Sequence, residues 1–300
     1  MSRHAPSSPI SRKAFATAVR AGQTVWTAGV YDALSAQLAQ AAGFPALMTS
    51  GFAVSASLLG EPDVELYTMT ENLGVVRNVC SAVGVPVVAD ADTGYGNAIN
   101  VMRTVRELER AGVAALILED QVIPKRCPCV AEQIEILPLA ESTAKIRAAV
   151  EARSDPDLVI VARTDATTEA EAIARAQAYA AAGADLIQPI SRCFKDLAGL
   201  ARLRQACGRP LSLQILGWLE ADLSREQIES VAGLAVYPLV GLLTVASALQ
   251  RNFRALWQER STRGLPVAPM GMNDFKDFIG FPAVEALQQR FLLGEPPGQV

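Results

Sequence analysis

The chain alternates between short apolar runs and longer segments with helical periodicity. Four segments share one design, in which a helical pattern reaches an Ala-Gly pair and a short apolar run follows; the glycines are Gly43, Gly112, Gly183 and Gly233. A glycine suits the left-handed residue just after a helix, and the apolar run is typical of a buried parallel strand. Repetition of this unit predicts an α/β fold.

Eight such runs are strand candidates. Ala-rich segments between them, such as residues 101–110 and 170–182, have the spacing of amphipathic helices. Eight strands that alternate with helices over about 250 residues predict a (β/α)8 TIM barrel. A doubly wound open sheet is the alternative, although no G-x-G-x-x-G motif follows the first strand. The candidates are Thr24–Thr27, Ala46–Thr49, Val85–Ala89, Ala115–Leu118, Leu158–Ala162, Leu186–Gln188, Leu211–Ile215 and Ala235–Tyr237.

A second region follows the eighth strand. Residues 247–260 have a helical pattern, and a linker with glycine and proline leads to the sequence DFKDFIGFPAVEALQQRF. We therefore expect a barrel domain at residues 1–260, with an N-terminal helix, and a C-terminal helical extension at residues 261–300. The apolar side chains of the extension dock either on their own barrel or on a neighbouring subunit.

Composition narrows the class of protein. Half of the 300 residues are hydrophobic, 19% are charged and the formal net charge is −4. No apolar run has the length of a membrane span or forms a secretory signal, so we expect a cytoplasmic protein with no membrane partner. The absence of a basic cluster argues against nucleic acid as a partner, and five irregularly spaced cysteines argue against a disulfide framework. A small molecule is the expected ligand.

A single histidine limits the possible chemistry. His4 lies in the N-terminal tail. Its isolation excludes Ser-His-Asp and Cys-His catalysis, an HExxH zinc site and a general base of the imidazole type. Acid–base chemistry must then fall to carboxylates, tyrosine, lysine or cysteine.

Polar residues follow most of the predicted strands, at the end where TIM barrels carry their active sites. Three of the acids among them, Asp90, Asp92 and Glu119, form an all-oxygen set that suits Mg²⁺ or Mn²⁺. Asp92 could instead be a helix N-cap, but three acids at adjacent strand ends favour a metal. The strand-end residues are Tyr31, Asp32, Ser50, Gly51, Asp90, Asp92, Glu119, Asp120, Arg163, Asp165 and Tyr237.

Two further residues stand out near these strand ends. Arg163 emerges from an apolar strand, so it either clamps a carboxylate or phosphate of the substrate or pairs with the acids. Cys127 lies in the stretch LEDQVIPKRCPCV, in a loop with two prolines and two basic residues. Cys127 and Cys129 alone do not make a zinc site, which needs four donors.

Five motifs together resemble the isocitrate lyase/phosphoenolpyruvate mutase superfamily, and the 2-methylisocitrate lyase branch in particular. They are residues 31–36 (YDALSA), 50–51 (SG), 90–97 (DADTGYGN), 119–127 (EDQ followed by KRC) and 162–166 (ARTDA). The resemblance implies a TIM barrel, a homotetramer with a C-terminal helix swapped between subunits, and a small carboxylate substrate bound to Mg²⁺, which Mn²⁺ can replace.

The resemblance also implies roles for individual residues. Asp90 would be the direct metal ligand, with Asp92, Glu119 and Asp63 holding metal-bound waters. Ser50, Gly51 and Arg163 would bind the substrate carboxylate, with Asp32 and Gln214 also at the substrate site. Cys127 would be the acid–base group on a mobile loop, with a pKa lowered by Lys125 and Arg126. Tyr31 and Tyr237 are further residues that would carry or orient a proton.

Three departures from the lyases stand out, one in the cysteine loop and two in the distal part of the substrate site. Pro128-Cys129 replaces Gly-His after the loop cysteine, Ile190 replaces a glutamate after strand six, and residues 214–217 (QILG) replace an Asn-x-Thr-Glu pattern. This part of the site is therefore expected to be more apolar.

The implied function is a Mg²⁺-dependent lyase that cleaves a carbon–carbon bond of a small 2-hydroxy carboxylate through an enolate. Residues 90–120 also resemble the oxaloacetate decarboxylase branch, which lacks the loop cysteine. The alternatives are an oxaloacetate decarboxylase or hydrolase, a phosphonopyruvate-type mutase or hydrolase, and a ligand-binding member without catalysis.

Overall fold

Eight parallel strands form a closed barrel in chain order, and β1 pairs with β8. The computed structural model describes residues 11–127, 134–190 and 193–292. All eight strand candidates are strands, so the TIM barrel is confirmed and the open sheet is excluded. The strands are β1 (Val25–Val30), β2 (Ala46–Thr49), β3 (Val87–Asp90), β4 (Ala115–Glu119), β5 (Val159–Thr164), β6 (Leu186–Pro189), β7 (Leu211–Gln214) and β8 (Ala232–Tyr237).

Helices precede, separate and follow these strands. None of those in the described ranges has the length and apolarity to cross a membrane. They are α1 (Arg12–Arg20), α2 (Ala33–Ala41), α3 (Gly51–Leu58), α4 (Met69–Ala82), α5 (Ala98–Ala111), α6 (Leu139–Ala152), α7 (Glu169–Ala181), α8 (Leu197–Cys207), α9 (Trp218–Ala221), α10 (Arg225–Val231), α11 (Val240–Glu259), α12 (Met272–Ile279) and α13 (Phe281–Phe291).

The inside of the barrel is packed with alternate residues of the strands. Helix α1 closes the end at which the strands begin, because Phe15 and Val19 are fully buried in the same cluster as the interior residues Met48 and Val161. A second and larger apolar cluster fills the space between the sheet and the surrounding helices. The other end of the barrel, where the strands finish, is left for polar residues.

Three of the four repeated glycines have the expected backbone. Gly43, Gly112 and Gly183 have φ angles of 99°, 99° and 101°, in the left-handed region that follows a helix. The prediction was wrong for Gly233, which lies within β8. A Cβ atom there would lie 2.3 Å from the carbonyl oxygen of Val19. Glycine is needed at this position for the close approach of α1 to the barrel.

The Cα positions divide the chain into two compact units, with the change at residues 243 and 244. The predicted C-terminal helices are present. Within the C-terminal unit, the Asn252 side chain donates to the carbonyl of Val267 at 2.8 Å and accepts the Val267 N–H at 3.0 Å, which ties α11 to the following linker. The expected boundary at residue 260 and docking on a neighbouring subunit stay predictions.

The contact between α1 and β8 generates a stability prediction. Gly233→Ala should lower the free energy of unfolding by about 1–3 kcal/mol, because the added methyl group overlaps the Val19 carbonyl. Gly74→Ala is the matched control: Gly74 lies within α4, and nothing lies within 4 Å of a Cβ built on it. The control should be neutral or stabilise by up to about 1 kcal/mol. Urea unfolding measures both, and equal effects would contradict the close approach.

Candidate active site

A cavity of about 610 Å³ lies at the end of the barrel where the strands finish. Two groups of side chains line it. The first, called here the charged half, is Ser50, Asp63, Asp90, Cys127 and Arg163. The second, called here the apolar half, is Phe194, Leu200, Leu213, Leu216, Trp218 and Leu239.

Strand periodicity directs the charged residues into the barrel. Ile117 and Val161 are part of the interior cluster, and residues two positions further along a strand face the same way. Glu119 and Arg163 are those residues, and the register of β4 and β5 pairs them side by side. The same rule places Asp90 on the inner face of β3. The charged groups therefore meet at the mouth of the barrel.

A cluster of five buried carboxylates surrounds two buried cations; we call it the acid cluster. The Lys125 ammonium lies 2.9 Å from Asp63 Oδ1 and 2.5 Å from Asp92 Oδ1. Arg163 Nη1 lies 2.6 Å from Glu119 Oε2, and Arg163 Nε lies 3.1 Å from an oxygen of Asp165. The carboxylates outnumber the cations, so the cluster carries an excess of negative charge. Its acids are Asp63, Asp90, Asp92, Glu119 and Asp165.

Burial and mutual repulsion change the acidity of these groups. Burial, together with the charge of Asp92, raises the pKa of Asp90 to about 6. Burial also raises the pKa of Glu119 well above its usual range. Burial acts in the same direction on Asp92, but the Lys125 ammonium outweighs it and lowers the pKa of this carboxyl. The cluster therefore favours the binding of protons or of another cation.

Two tyrosines fix the carboxylate of Asp92. The hydroxyl groups of Tyr67 and Tyr95 donate to Asp92 Oδ2 at 2.6 and 2.8 Å. Asn72 donates to the Tyr95 hydroxyl at 2.9 Å and to the backbone carbonyl of Asp90 at 2.8 Å. Tyr67, Tyr95 and Asn72 were not predicted from the sequence, although Tyr95 lies in one of the five motifs.

Asp92 and Asp165 are not the caps of the helices that follow them. Asn97 caps α5 and Thr168 caps α7. The interpretation of Asp92 as a helix cap is therefore excluded, and both acids are available to the cluster.

The predicted carboxylate-binding residues lie beside the acid cluster. The Ser50 side chain lines the cavity and accepts the Ala53 N–H at 3.4 Å. The Gly51 N–H donates to Asp90 Oδ2 at 3.1 Å, so it holds the predicted metal ligand in this arrangement. Their roles toward the substrate stay predictions.

Gln214 also lines the cavity, beside a second glutamine that the sequence analysis missed. Gln188 Oε1 accepts the Ser212 hydroxyl at 2.7 Å and the Gln214 side-chain amide at 3.5 Å. Gln188 could have been predicted if every polar residue that faces inward near the end of a strand had been taken as a candidate, whether charged or not.

Three predicted residues lie away from this cavity. Asp32 caps α2 in a reciprocal arrangement with Ser35. The ring of Tyr237 stacks on Trp26, with centroids 5.5 Å apart, and both line a separate hollow. Tyr31 is not among the residues that line the cavity. Catalytic or substrate-binding roles for Tyr31, Asp32 and Tyr237 stay predictions that this placement does not support.

The loop cysteine faces the charged half. Cys127 is buried and lines the same cavity as Asp63, Asp90 and Arg163. Lys125, expected to act on the thiol, directs its ammonium group to the acid cluster instead. Pro128 and Cys129, which replace the Gly-His pair of the lyases after the loop cysteine, lie outside the described residues.

The acid cluster fits a hard divalent cation in its chemistry. Within the described ranges, no three Asp, Glu, His or Cys side chains are arranged to hold a metal as they lie, and Lys125 lies between Asp63 and Asp92. However, neither side-chain oxygen of Glu119 receives a hydrogen bond, although Arg163 is close. All the donors are oxygens and their negative charge is in excess. These properties are typical of a Mg²⁺ or Mn²⁺ site.

Comparison with known proteins identifies the family. Residues 15–254 match the family model described as phosphoenolpyruvate phosphomutase. The chain belongs to the phosphoenolpyruvate mutase/isocitrate lyase superfamily. The resemblance drawn from the five motifs is therefore confirmed at this level. The protein is an enzyme of this superfamily, whose members act on small carboxylates and generally depend on a divalent metal.

Individual relatives indicate which branches of the superfamily the chain resembles. A 2,3-dimethylmalate lyase from Eubacterium barkeri is 38% identical over 89% of this chain and 93% of its own length. An oxaloacetate decarboxylase from Pseudomonas syringae pv. tomato is 36% identical over 84% of this chain and 86% of its own. A crystal structure of phosphonopyruvate hydrolase with oxalate and Mg²⁺ has a TM-score of 0.83 and 29% identity, covering 94% of this chain and 99% of that one. The 2-methylisocitrate lyase branch was thus only approximate.

The pairing of Arg163 generates a second prediction. Arg163→Met should lower the free energy of unfolding by about 3–5 kcal/mol, because Glu119 and Asp165 would remain buried without their cation. Arg202→Met is the control, since Arg202 pairs with Glu169 at the surface, at 2.6 Å, where ion pairs contribute little. Urea unfolding without metal measures both. Equal and small effects would show that Arg163 does not balance the acid cluster.

Proposed function

We propose that this protein is a divalent-metal-dependent lyase that cleaves the C2–C3 bond of a small 2-hydroxy dicarboxylate of the malate type. The observation that carries the proposal is the presence of Cys127 in the same cavity as the acid cluster and Arg163. The similarity to a 2,3-dimethylmalate lyase supports the class of reaction.

Asp90 would hold the metal, with Asp63, Asp92 and Glu119 around it. Magnesium is the expected ion and manganese a substitute; the similar phosphonopyruvate hydrolase contains Mg²⁺ with oxalate, a small dicarboxylate. When bound, the ion supplies positive charge that stabilises the carboxylate and the 2-oxygen of the substrate.

Residues of this chain position the substrate. Arg163 contacts Glu119 and Asp165 and also lines the cavity, so its guanidinium can face a substrate carboxylate without leaving its partners. The Ser50 hydroxyl accepts the Ala53 N–H, and its own proton can be donated to the same carboxylate. These contacts orient C2 toward the acid cluster, so that C3 would lie within reach of Cys127 and its substituent would extend away from the charged half.

The bond is broken by a retro-aldol step. The hydroxyl proton on C2 passes to a carboxylate of the acid cluster, such as Asp63, and C2 becomes a carbonyl carbon. The C2–C3 electron pair moves onto C3, where a carboxylate attached to C3 delocalises it. The Cys127 thiol then delivers its proton to C3. The products are a 2-oxo acid and a carboxylic acid, so the substrate needs a carboxylate on C3 as well as on C2.

Oxaloacetate decarboxylation is the second candidate, because an oxaloacetate decarboxylase covers most of the chain at 36% identity. That reaction would use the same charged half, and its enolate product also takes up a proton on carbon, but the oxaloacetate decarboxylase branch lacks the loop cysteine. The position of Cys127 in the cavity favours the lyase.

Replacement of the thiol tests the lyase. Cys127→Ser should lower kcat for cleavage of 2,3-dimethylmalate and related malates by about 10²–10⁴-fold, the usual contribution of a general acid. The control is Cys80→Ser, since Cys80 lies on α4 and does not line the cavity. Release of the 2-oxo acid, followed with a coupled dehydrogenase, measures both variants.

A measurement of metal binding shows whether Cys127→Ser loses activity because the thiol is missing or because the site is damaged. Calorimetry should show unchanged Mg²⁺ binding in Cys127→Ser and lost binding in Asp90→Asn. Full cleavage activity in Cys127→Ser, with Mg²⁺ still bound, would exclude Cys127 as the acid.

A further inference from the structure

We propose that the apolar half binds an alkyl or aromatic substituent, larger than methyl, on C3 of the substrate. This inference rests on the proposed function for the bond that is cleaved and adds the class of substrate. Binding of the substituent is tested separately from catalysis, with ligands that the enzyme cannot cleave.

The two halves of the cavity come from opposite sides of the barrel. The charged half belongs to β2–β5 and the loops that follow them, whereas the residues of the apolar half come from β7 and from the segments that follow β6, β7 and β8. A substrate held by Arg163 on β5 therefore directs its far end toward Phe194, Leu216 and Trp218. The charged half and the apolar half therefore face the same cavity and can contact two ends of one substrate molecule.

The turn after β7 presents Trp218 to the cavity. Gly217 has a φ angle of 58° and a ψ angle of −127°, a combination that is essentially restricted to glycine. Helix α9 begins at the next residue, so Trp218 stands at the start of that helix and lines the cavity. Leu216 and Trp218 are only half-buried. Their apolar surface is exposed to the cavity, and covering it with an apolar group is favourable.

The polar groups near the apolar half do not form a site for another carboxylate. Gln188 Oε1 accepts both the Ser212 hydroxyl and the Gln214 side-chain amide, and the same amide also contacts the Met48 sulfur at 3.5 Å. Among the described lining residues the cations are Arg163, which is buried among the acids, and Lys195, which is exposed. A third carboxylate placed among these apolar side chains would lose its hydration without a buried partner. A tricarboxylate such as 2-methylisocitrate therefore fits less well than a malate with an alkyl group on C3.

The size of the cavity agrees with a substituent of several carbons. Its volume of about 610 Å³ is in the range of pockets that hold drug-sized ligands, which is more space than the four-carbon skeleton of malate fills. Carbon 3 carries one carboxylate and one hydrogen, so its remaining position is free for the substituent. The acid product would then be a longer alkyl or aryl-substituted carboxylic acid.

Succinates with alkyl substituents test the inference without turnover, because they lack the hydroxyl group that the retro-aldol step needs. Succinate, 2-methylsuccinate, 2-butylsuccinate and 2-benzylsuccinate are titrated into the full-length protein with Mg²⁺. Binding is followed by calorimetry and by tryptophan emission, for which Trp218 is the reporter in the cavity. The Kd should fall about two- to fourfold for each added methylene group.

Variants localise the effect to the apolar half. Trp218→Ala should greatly reduce the ratio of Kd values between succinate and 2-butylsuccinate. Trp257→Ala is the matched control, because Trp257 is exposed on α11 and its loss should keep the ratio unchanged. A Kd that is flat across the series, no binding of any succinate, or an unchanged ratio in Trp218→Ala would overturn the inference.

Cleavage assays distinguish this inference from the proposed function. If affinity rises along the succinate series but no 3-alkylmalate is cleaved, the apolar half binds as inferred and the lyase is wrong. If malates are cleaved but the succinate series is flat, the lyase stands and the role of the apolar half is wrong.

Discussion

The structure of the site depends on a buried excess of negative charge at the mouth of the barrel. Carboxylates in such a place lose their hydration and repel each other, which is why burial and Asp92 raise the pKa of Asp90 to about 6. The strands β3 and β4 hold Asp90 and Glu119 at their ends, and Lys125 and Arg163 balance part of the charge of the cluster. The remaining negative charge favours the binding of a cation at this position.

The same barrel places an apolar surface opposite these charges. Alternation along β3, β4 and β5 brings Asp90, Glu119 and Arg163 inward, whereas Phe194, Leu216 and Trp218 line the other side. A carbon–carbon lyase can use both environments, since one side stabilises the oxygens of the 2-oxo product and the other accommodates the carbon that leaves. Cys127 lines the cavity with both, and the proposed mechanism assigns the protonation of that carbon to its thiol.

Regular features of the sequence predicted the barrel and most of the charged half. The Gly-capped repeats gave the strands, and the rule that active sites lie at strand ends gave Asp90, Glu119 and Arg163. The same rule selected Tyr237, which lies away from the cavity: Val236 belongs to the interior cluster, so its neighbour in the strand faces outward, where it stacks on Trp26.

The features that the sequence did not predict depend on tertiary contacts. The Lys125 side chain contacts the acid cluster because of the way its loop packs, and a loop has no periodic sequence pattern from which this packing could be predicted. Tyr67 donates to Asp92 from the segment between α3 and α4, which no spacing rule connects to that acid. Gly233 matched the Ala-Gly pattern, but its conformation is set by the approach of Val19 from α1.

The most direct test of the account is the fate of C3 during turnover in D₂O. 2,3-Dimethylmalate and 3-butylmalate are incubated with the protein and Mg²⁺, and the products are analysed by mass spectrometry and NMR. The account predicts a 2-oxo acid together with a carboxylic acid that carries one deuterium on the former C3, because an exchangeable thiol protonates that carbon, with no CO₂ released. Turnover of oxaloacetate to CO₂ with no cleavage of either malate would contradict it.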